Sequence, residues 1–495
     1  MGSVGGSANE TVLIAGAGMV GLGAGLALAN GKRQITLIER DPPPPALAPH
    51  DLFQEWERRG VAQLRHSHIF LGRLMVLFRD HFPFLMEELL AAGGRLFSFA
   101  DALGPDLKTG YRPSPGDEDL ALLYCRRTTL EFVLRRHVER LPGVSVMPAT
   151  QVRGLIADRQ GDRLAVKGLV CERGGRREDL AADLVIDASG RGSLFPKWLR
   201  AEGVTIGEEE SPAGILYFTR HYRIRAGAEE PALGDNPMAG DLSYIKYGIC
   251  PADNAHFSIT LAVPEIEQEL RRAVTDPAAF DRVCAQLPGC ASWTDPARAE
   301  AVSPVYAMGN LTSVWRTLLK DGKPQLLNFF MIGDAAIRTN PLYGRGCSAG
   351  LIHAHALRAI LDATGDPAER AVMIEMRTRD VFRPHYESMV KQDLQAIRRA
   401  EGARAGEGKM GLKARLRKSL VQDGLVPAMR SDLDVVRAAA RAFHMIDPPI
   451  SWKKRPGLLA RVLWMWAKPK SFKRAAYRGT LGPARGEMLA RMGLS

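Results

Sequence analysis

Three glycines near the N-terminus stand at a spacing that suits the binding of a dinucleotide. They are Gly16, Gly18 and Gly21, and Glu39 follows at the end of the next apolar run. The first glycine of such a motif permits a tight turn, the second lets a pyrophosphate approach the backbone, and the third lets the helix pack on the strand. The helix N-terminus offers N–H groups to phosphates, and an acid at the position of Glu39 accepts hydrogen bonds from a ribose diol. The motif predicts a nucleotide site but does not separate FAD from NAD.

The elements that must position these glycines are predicted from short apolar runs. Residues 11–15 and 34–39 are typical of buried parallel strands, and residues 22–30 are small and apolar, as in a closely packed helix. Gly31 then ends that helix as a C-cap. A strand, a helix and a second strand within about 30 residues make a βαβ unit of the Rossmann type.

Two later motifs favour FAD over NAD. Asp187 ends a predicted strand at 184–187 and begins a turn that runs to Ser193, and Gly333 and Asp334 follow a second predicted strand at 326–332. An acid at the position of Asp334 can accept hydrogen bonds from ribityl hydroxyls, and we expect it to be more buried than Glu39. The glycine-rich stretch 344–350 opens a helix and can present backbone N–H groups to the pyrimidine edge of a flavin.

Together these motifs resemble the FAD-dependent monooxygenase superfamily typified by para-hydroxybenzoate hydroxylase. The resemblance covers scattered blocks between Thr11 and Leu357 and is strongest to bacterial FAD-dependent epoxidases and halogenase-like members. Arg127, for example, matches the family's FAD-contacting residue before a helix. The resemblance implies a glutathione reductase-like FAD domain. The cofactor-binding residues that it implies are Gly16, Gly18, Gly21, Glu39, Arg40, Arg127, Val152, Gly333, Asp334 and Gly346.

The resemblance also implies a reaction. Reduced FAD would form a hydroperoxide with dioxygen and pass one oxygen atom to an apolar alkene or aromatic, by epoxidation or hydroxylation. Arg65, His66 and Arg345 are the candidate catalytic residues. The first two belong to an Arg-His-x-His segment similar to one near the flavin of epoxidase-like proteins, and Arg345 stands where glutamine or a small residue is commoner. Cys347 follows at a helix N-terminus, which can lower a thiol pKa, although packing explains it as well.

Several alternatives remain open at this point. One is a reductase of isoprenoid double bonds, as in geranylgeranyl reductases, and another is a flavin-bound docking protein without turnover. A flavin-dependent halogenase is a third, but Trp464 and Trp466 are followed by Ala-Lys-Pro and do not match the halogenase Trp-x-Trp-x-Ile-Pro motif. Electrons would come from NAD(P)H or from a partner flavin reductase. A small aromatic acid as substrate would need an arginine clamp, which Arg220, Arg223 and Arg225 could supply.

The composition fits a globular enzyme. The chain has 495 residues, of which 46% are hydrophobic and 25% charged, and its formal net charge is +12. It carries no recognisable nucleic-acid module, so we expect no nucleic-acid partner. Its six cysteines form no CxxC pair, which gives no support to a metal site. The few cysteines, the polar N-terminus and the absence of a long apolar run predict a cytoplasmic protein.

The predicted architecture is α/β, with three regions. Residues 8–205 and 300–365 form a discontinuous FAD-binding domain, residues 206–299 an antiparallel substrate-binding sheet, and residues 366–495 a basic helical C-terminal extension. Lysines and arginines alternate with aromatic residues between Ser451 and Arg478. This mixture suits peripheral contact with a membrane surface, and it also suits solvated helices that cover the FAD domain.

Overall fold

The chain begins with the βαβ unit that the sequence predicts. A computed structural model describes residues 9–231, 237–405, 411–449, 451–473 and 481–494. The strands Glu10–Ala15 and Arg33–Ile38 pair in parallel, and the helix Met19–Leu28 connects them. This helix is built from small residues because it packs closely on the helix Gly346–Ala363. A Cβ atom at Gly23 would lie 2.9 Å from a methyl carbon of Leu351.

A five-stranded parallel sheet forms the centre of the FAD-binding region. In spatial order its strands are Phe329–Met331, Leu184–Asp187, Glu10–Ala15, Arg33–Ile38 and Val144–Met147. Because the carboxyl ends of parallel strands meet at one edge, the glycine turn, the Asp187 turn and the Gly333 turn lie side by side. The α/β class predicted from the sequence is confirmed.

The apolar run 326–332 does not form the single strand that its composition predicts. Asn328 has φ +62° and divides it into Leu326–Leu327, which pairs with Arg163–Arg173, and Phe329–Met331, which joins the parallel sheet. Asparagine is among the non-glycine residues that adopt positive φ most readily, so Asn328 is the signal in the sequence that marks this break. The division lets one short segment serve two sheets.

The predicted antiparallel sheet is present and has six strands. They are Ile215–Ile224, Ala239–Asp241, Lys246–Pro251, His256–Pro264, Ala299–Ala301 and Tyr306–Met308. The sheet therefore extends past the expected boundary at residue 299. The strand Gly207–Pro212 pairs instead with Thr312–Thr317, in a small sheet that also contains Ile337–Arg338.

The remaining described elements complete the two regions and the C-terminal extension. The other strands are Arg95–Phe97, Leu122–Tyr124, Thr150–Gln160, Arg163–Arg173, Arg176–Ala181, Leu319–Lys320 and Lys323–Pro324. The other α-helices before residue 300 are Leu52–Glu55, Gly72–His81, Pro83–Ala91, Pro105–Lys108, Arg127–Val138, Phe195–Ala201, Gln268–Ala273, Pro277–Ala285 and Pro288–Ala291. Short 3₁₀ helices are Glu118–Leu120, Gly190–Gly192, Gly333–Ala335, Pro341–Tyr343 and Ser451–Lys454.

The chain after residue 365 is mostly helical, as predicted, and its last described helix returns to the substrate sheet. Its α-helices are Pro367–Ala405, Leu412–Ser419, Val426–Ser431, Leu433–Phe443, Pro456–Ala467 and Arg485–Met492, with a π-helical segment Leu420–Leu425. Met488 and Leu489 are buried in the core of the substrate sheet, and Arg485 forms two 2.7 Å hydrogen bonds with Glu267. The last described helix of the C-terminal extension therefore packs on the substrate sheet.

Among the described helices, none combines the length and the apolar character that crossing a bilayer requires.

Candidate functional site

The glycine turn is tightly packed at Gly16 and Gly21 and open at Gly18. Gly16 has φ +102°, and a Cβ atom there would lie 2.8 Å from the carbonyl oxygen of Ala188. At Gly21 a Cβ atom would lie 1.8 Å from the carbonyl oxygen of Gly16, whereas at Gly18 it would meet nothing within 4 Å. Gly16 and Gly21 therefore permit the packing of the turn itself. Gly18 leaves the accessible backbone face that a pyrophosphate needs.

Glu39 is buried and supports the turn directly. Its carboxylate accepts hydrogen bonds from the backbone N–H of Ala17 at 2.9 Å, from that of Asp41 at 2.9 Å, and from the guanidinium of Arg58 at 2.6 Å. Much of its hydrogen-bonding capacity is thus used within the protein. Besides the ribose contact predicted from the sequence, Glu39 shapes the loop that would receive the ribose.

Arg58 is a member of the site that the sequence reasoning missed. Its guanidinium is buried, pairs with Glu39 and Glu131, and lies 3.4 Å from the carbonyl oxygen of Ala17. It therefore places a charged donor at the phosphate end of the glycine turn. Arg58 follows no motif in the sequence, and only folding brings it to the turn.

Arg127 interacts with residues from several parts of the site. Its guanidinium donates to Glu131 at 2.6 Å and approaches the sulfur of Cys347 at 2.9 Å. Burial by itself would raise the pKa of Glu131, but Arg127 and Arg58 outweigh it and lower that pKa. The charge of Arg127 also acts on His68, whose pKa it helps to lower, and on Asp334, where it opposes the effect of burial.

His68, Asp334 and Cys347 all lie near Arg127, and we call the region that their accessible surfaces face the internal space. Each keeps some accessible surface, yet burial lowers the pKa of His68 to about 3 and raises the pKa of Asp334 and of Cys347. A side chain that is both accessible and strongly desolvated faces a cavity rather than bulk water. The sequence offers two interpretations of Cys347, a thiol with a lowered pKa at a helix N-terminus and a small packed residue, and it favours the second. The structure agrees with the second, because Cys347 packs against the apolar core and burial outweighs the nearby positive charge.

Asp334 is the acid with unused hydrogen-bonding capacity. In the described parts of the chain, no residue donates a hydrogen bond to its carboxylate, and one of its oxygens lies 3.8 Å from the position of a Cβ atom on Gly346. We expected Asp334 to be more buried than Glu39. That expectation is wrong, since Asp334 is half-buried and Glu39 is 4% exposed. The turn before Asp334 is held by His353, whose Nδ1 accepts the N–H of Gly333 at 3.2 Å.

The Arg-His-x-His segment faces the site through its last residue. Arg65 donates to the carbonyl oxygens of Phe53 and Gln54, at 3.0 and 2.9 Å. The Nδ1 of His68 donates to the carbonyl oxygen of His66 at 2.9 Å. Because a pKa of about 3 keeps His68 neutral at pH 7, its Nε2 is then a hydrogen-bond acceptor.

His66 has a different setting from His68. Its Nδ1 lies 2.9 Å from the hydroxyl of Thr219, which is 2.7 Å from that of Thr260, and Thr260 is 2.7 Å from Ser67. These groups fasten segment 65–68 to two neighbouring strands of the substrate sheet. His66 thus holds the segment that carries His68.

Arg345 is a buried cation whose hydrogen-bonding capacity is largely unused among the described residues. It is 8% exposed, no described residue accepts a hydrogen bond from its Nε or Nη1, and its guanidinium lies 5.3 Å from the ring centre of Tyr343. Burial lowers the pKa of His385 to about 4, and the charge of Arg345 contributes. A buried guanidinium without an acceptor is costly, so this site suits an anion or carbonyl group that the chain does not supply.

Two residues implied by the resemblance lie apart from the Arg127 centre. Arg40 is half-exposed, 3.9 Å from Asp41. Val152 is partly buried and packs on the apolar core beneath the parallel sheet. Neither is joined to Arg127 or Asp334 by a described hydrogen bond or ion pair.

Asp393 is a second residue without a sequence signal. It lies in the long helix Pro367–Ala405, and one carboxylate oxygen accepts from Asn340 at 3.0 Å and from Tyr343 at 2.9 Å. The other oxygen is buried without a partner, and burial raises the pKa of Asp393 to about 6. Asp393 thereby anchors loop 340–346, which leads into the helix that carries Cys347.

The family is decided by a match to a sequence profile described as an FAD binding domain. The match covers residues 119–372, which is more than half of the chain. The chain belongs to this family. Among curated proteins, Protein Rv3254 of Mycobacterium tuberculosis is 29% identical over 385 residues, which cover 73% of this chain and 75% of that protein.

Three solved structures share the fold of this FAD-binding-domain family member. The flavin-dependent brominase Bmp2 covers 88% of this chain and 94% of its own, with a TM-score of 0.58 at 14% identity. The p-nitrophenol 4-monooxygenase PnpA from Pseudomonas putida DLL-E4 covers 89% and 99%, with a TM-score of 0.58 at 16% identity. The Diels-Alderase PyrE3 covers 89% and 81%, with a TM-score of 0.56 at 18% identity. The names of these proteins span three reactions, so fold likeness does not assign the reaction.

The residues present fit FAD as the cofactor. Gly18 leaves an open backbone face, Asp334 offers a carboxylate without a described donor, and the charge of Arg127 acts on Asp334. FAD is therefore the cofactor of this protein, in agreement with the match to an FAD binding domain.

Proposed function

We propose that this protein is an FAD-dependent monooxygenase that transfers one oxygen atom to a small apolar alkene or aromatic. The internal space bounded by His68, Asp334 and Cys347 carries the proposal, because oxygen transfer needs a site from which water is excluded. When bound, FAD supplies the activation of dioxygen. The protein supplies binding, orientation and fixed charges.

The residues that would hold FAD come from seven separate parts of the chain. We propose that Gly18 and Arg58 bind the pyrophosphate, Glu39 the ribose and Asp334 the ribityl chain, while Gly346 presents its backbone to the ring. The remaining proposed cofactor residues are Gly16, Gly21, Arg40, Arg127, Val152 and Gly333.

Three side chains would act on the reacting groups or their surroundings. We propose that the Nε2 of His68 accepts a hydrogen bond from a group bound in the internal space, and that His66 positions His68. Arg345 holds a fixed positive charge on loop 340–346 and would favour an anionic form of a group bound there. Arg65 would then act only through its hold on residues 53 and 54.

The state of three sheet arginines supports an apolar substrate over a small aromatic acid. Arg220 pairs with Asp281, and Arg223 and Arg225 both pair with Glu300. These are the residues that could have formed an arginine clamp for a substrate carboxylate. Each already has an acidic partner within the protein, so binding an acid would require breaking an existing ion pair.

A spectrum and a reduction experiment test the cofactor and the electron source. The purified protein should be yellow and release FAD rather than FMN. Anaerobic mixing with NADH and with NADPH should then bleach the flavin if the protein accepts electrons directly. Bleaching by dithionite alone would instead favour a partner flavin reductase. Protein that binds only FMN, or no flavin, would contradict the cofactor roles proposed above.

A turnover assay tests the reaction. Reduced enzyme is mixed with oxygen and with alkenes of increasing length or small aromatic acids, and products are scored by mass. We expect a gain of one oxygen atom on the alkenes, with affinity rising by up to about 0.8 kcal/mol for each methylene that becomes buried. A gain of two hydrogens would indicate a reductase, a gain of halogen a halogenase, and oxygen uptake without product a non-catalytic flavoprotein. Reaction with the acids alone would refute the apolar substrate.

A pair of histidine variants tests the proposed site. His256 provides the control, because its Nδ1 lies 2.8 Å from the carbonyl oxygen two residues earlier, as in His68, but on the substrate sheet. We expect His68→Gln to change turnover and the spectrum of bound flavin, and His256→Gln to leave both near wild type. Equal behaviour of the two variants would remove His68 from the site.

A further inference from the structure

The C-terminal extension presents a surface that the flavin chemistry does not use. Two of its segments, 411–419 and 451–473, contain no aspartate or glutamate. Their basic residues are Lys413, Arg415, Arg417, Lys418, Lys453, Lys454, Arg455, Arg461, Lys468, Lys470 and Lys473. Ion pairs with residues 432–447 engage Arg455 and Arg461, and Lys473 is buried. Exposed Arg415, Lys418, Lys454 and Lys470 keep the surface cationic.

The same two segments expose large apolar side chains. Their exposed fractions are Leu412 73%, Leu416 50%, Leu463 41%, Trp464 55% and Phe472 58%. Leu412 and Leu416 are four residues apart on one helix and so lie on the same face. We call the surface formed by these five side chains and the basic residues around them the C-terminal basic surface.

Lys468 shows how charge and apolar surface are combined. Its ammonium lies 4.3 Å from the ring centre of Trp464 and 5.1 Å from that of Phe472, and the two ring centres are 6.0 Å apart. A lysine whose stem follows aromatic rings can keep its charge at a headgroup layer while the rings enter the apolar layer below. This arrangement is the one that interfacial segments use.

The surface rests on a packed support. Val462 and Met465 are buried beneath it against Ala428 and Val435. The indole N–H of Trp466 donates to Ser419 at 3.0 Å and so ties helix 456–467 to the end of helix 412–419. The exposed side chains are therefore held in place before any partner arrives, which lowers the entropic cost of binding.

We propose that the C-terminal basic surface docks this protein on the surface of an anionic lipid bilayer. The charge excess selects an anionic partner, and five large exposed apolar groups need an apolar phase to enter. A second copy of this chain would bring the same positive charge against the surface, so like-charge repulsion opposes self-association there. The proposal is independent of the reaction that the flavin site performs. The segment between Ser451 and Arg478 also contains Arg474 and Tyr477, which lie outside the described residues.

Vesicle co-sedimentation of the full-length FAD-bound protein tests the proposal. The probes are vesicles of phosphatidylcholine alone and of phosphatidylcholine with an equal amount of phosphatidylserine. We expect binding to the anionic vesicles only, weakened by salt. Lys468→Gln and Lys470→Gln should each weaken it by about fivefold. The double variant Leu412→Ser with Phe472→Ser should weaken it more than tenfold.

A matched control uses Phe84, which is 70% exposed in helix Pro83–Ala91, outside this surface. Phe84→Ser should bind anionic vesicles as wild type does, and every variant should retain FAD. Three results would overturn the proposal: equal binding to both vesicle types, loss of binding in Phe84→Ser but not in the double variant, or a wild-type dimer that the double variant converts to monomer. Binding to soluble polyglutamate that the double variant leaves intact, without vesicle binding, would point to an acidic protein instead and would also overturn it.

Discussion

The two acids of the flavin site should respond to substitution in opposite ways. Glu39 is buried and accepts three hydrogen bonds from Ala17, Asp41 and Arg58, whereas Asp334 is half-buried and accepts none that is described. Glu39→Gln replaces one acceptor oxygen with an N–H donor, which must then face another donor. It also removes the negative charge that compensates Arg58.

The expected loss for Glu39→Gln is about 3 kcal/mol of unfolding free energy in the protein without cofactor. This figure combines one buried donor left without a partner and one weakened charge-assisted hydrogen bond, each worth about 1–3 kcal/mol. Asp334→Asn should leave that free energy unchanged or raise it. Burial already raises the pKa of Asp334, so its charge is unfavourable in the folded protein without cofactor.

FAD affinity should separate the two variants a second time. Asp334→Asn should weaken FAD binding by about 10–100-fold, because one charge-assisted hydrogen bond to a hydroxyl is worth about 1.5–3 kcal/mol. Urea unfolding of the protein stripped of FAD gives the stability, and quenching of FAD fluorescence gives the affinity. The reasoning fails if Glu39→Gln unfolds at the wild-type urea concentration, or if Asp334→Asn loses more than about 1 kcal/mol of stability.

Three further predictions concern the frame of the site. Gly18→Ala should lose FAD but keep the unfolding free energy of the protein without FAD within about 0.5 kcal/mol of wild type, because its Cβ meets nothing within 4 Å. Gly21→Ala should fail to form the turn. Circular dichroism and FAD titration compare the two variants. Asp393 has a pKa raised from 3.8 to about 6, so its stabilisation is complete below about pH 4 and lost as the pH rises to about 6. Relative to Asp393→Asn, the wild-type protein should therefore lose up to about 3 kcal/mol of unfolding free energy over that pH range. Urea unfolding at each pH measures it, and a difference between the two proteins that stays constant with pH would contradict this. Asp253→Asn should lower the free energy of unfolding by about 3–5 kcal/mol, because it leaves buried Arg126 without its carboxylate partner at 2.7 Å. Thermal or urea unfolding measures the loss, and an unfolding midpoint equal to that of wild type would show that the ion pair is dispensable.

The local elements were predictable because short-range patterns determine them. The βαβ unit and the buried strand at 184–187 follow from apolar runs and from glycines at fixed spacing. The same patterns carried the family resemblance, and with it the cofactor. Gly16 and Gly21 could be recognised from the sequence because their role is steric and belongs to one turn.

The partners of the charged residues could not be predicted, because they come from distant parts of the chain. Arg58 reaches Glu131 across 73 positions, and Arg127 reaches Cys347 across 220. Sequence periodicity does not indicate contacts between residues so far apart in the chain. The direction of the pKa shift of Cys347 could not be derived from its helix terminus for the same reason, since burial by remote residues outweighs the effect of that terminus.

The sequence by itself determined the cofactor class, the α/β architecture and the basic, aromatic character of the C-terminal extension. Only the tertiary structure decided that Glu39 is buried while Asp334 keeps an unused carboxylate, that Arg65 is bonded to the carbonyl oxygens of Phe53 and Gln54, and that Asp393 anchors loop 340–346. The physical reason is that residue type and spacing fix backbone conformation over a few residues. Burial and charge pairing, which set hydrogen-bonding capacity and pKa, depend on which distant segments pack together.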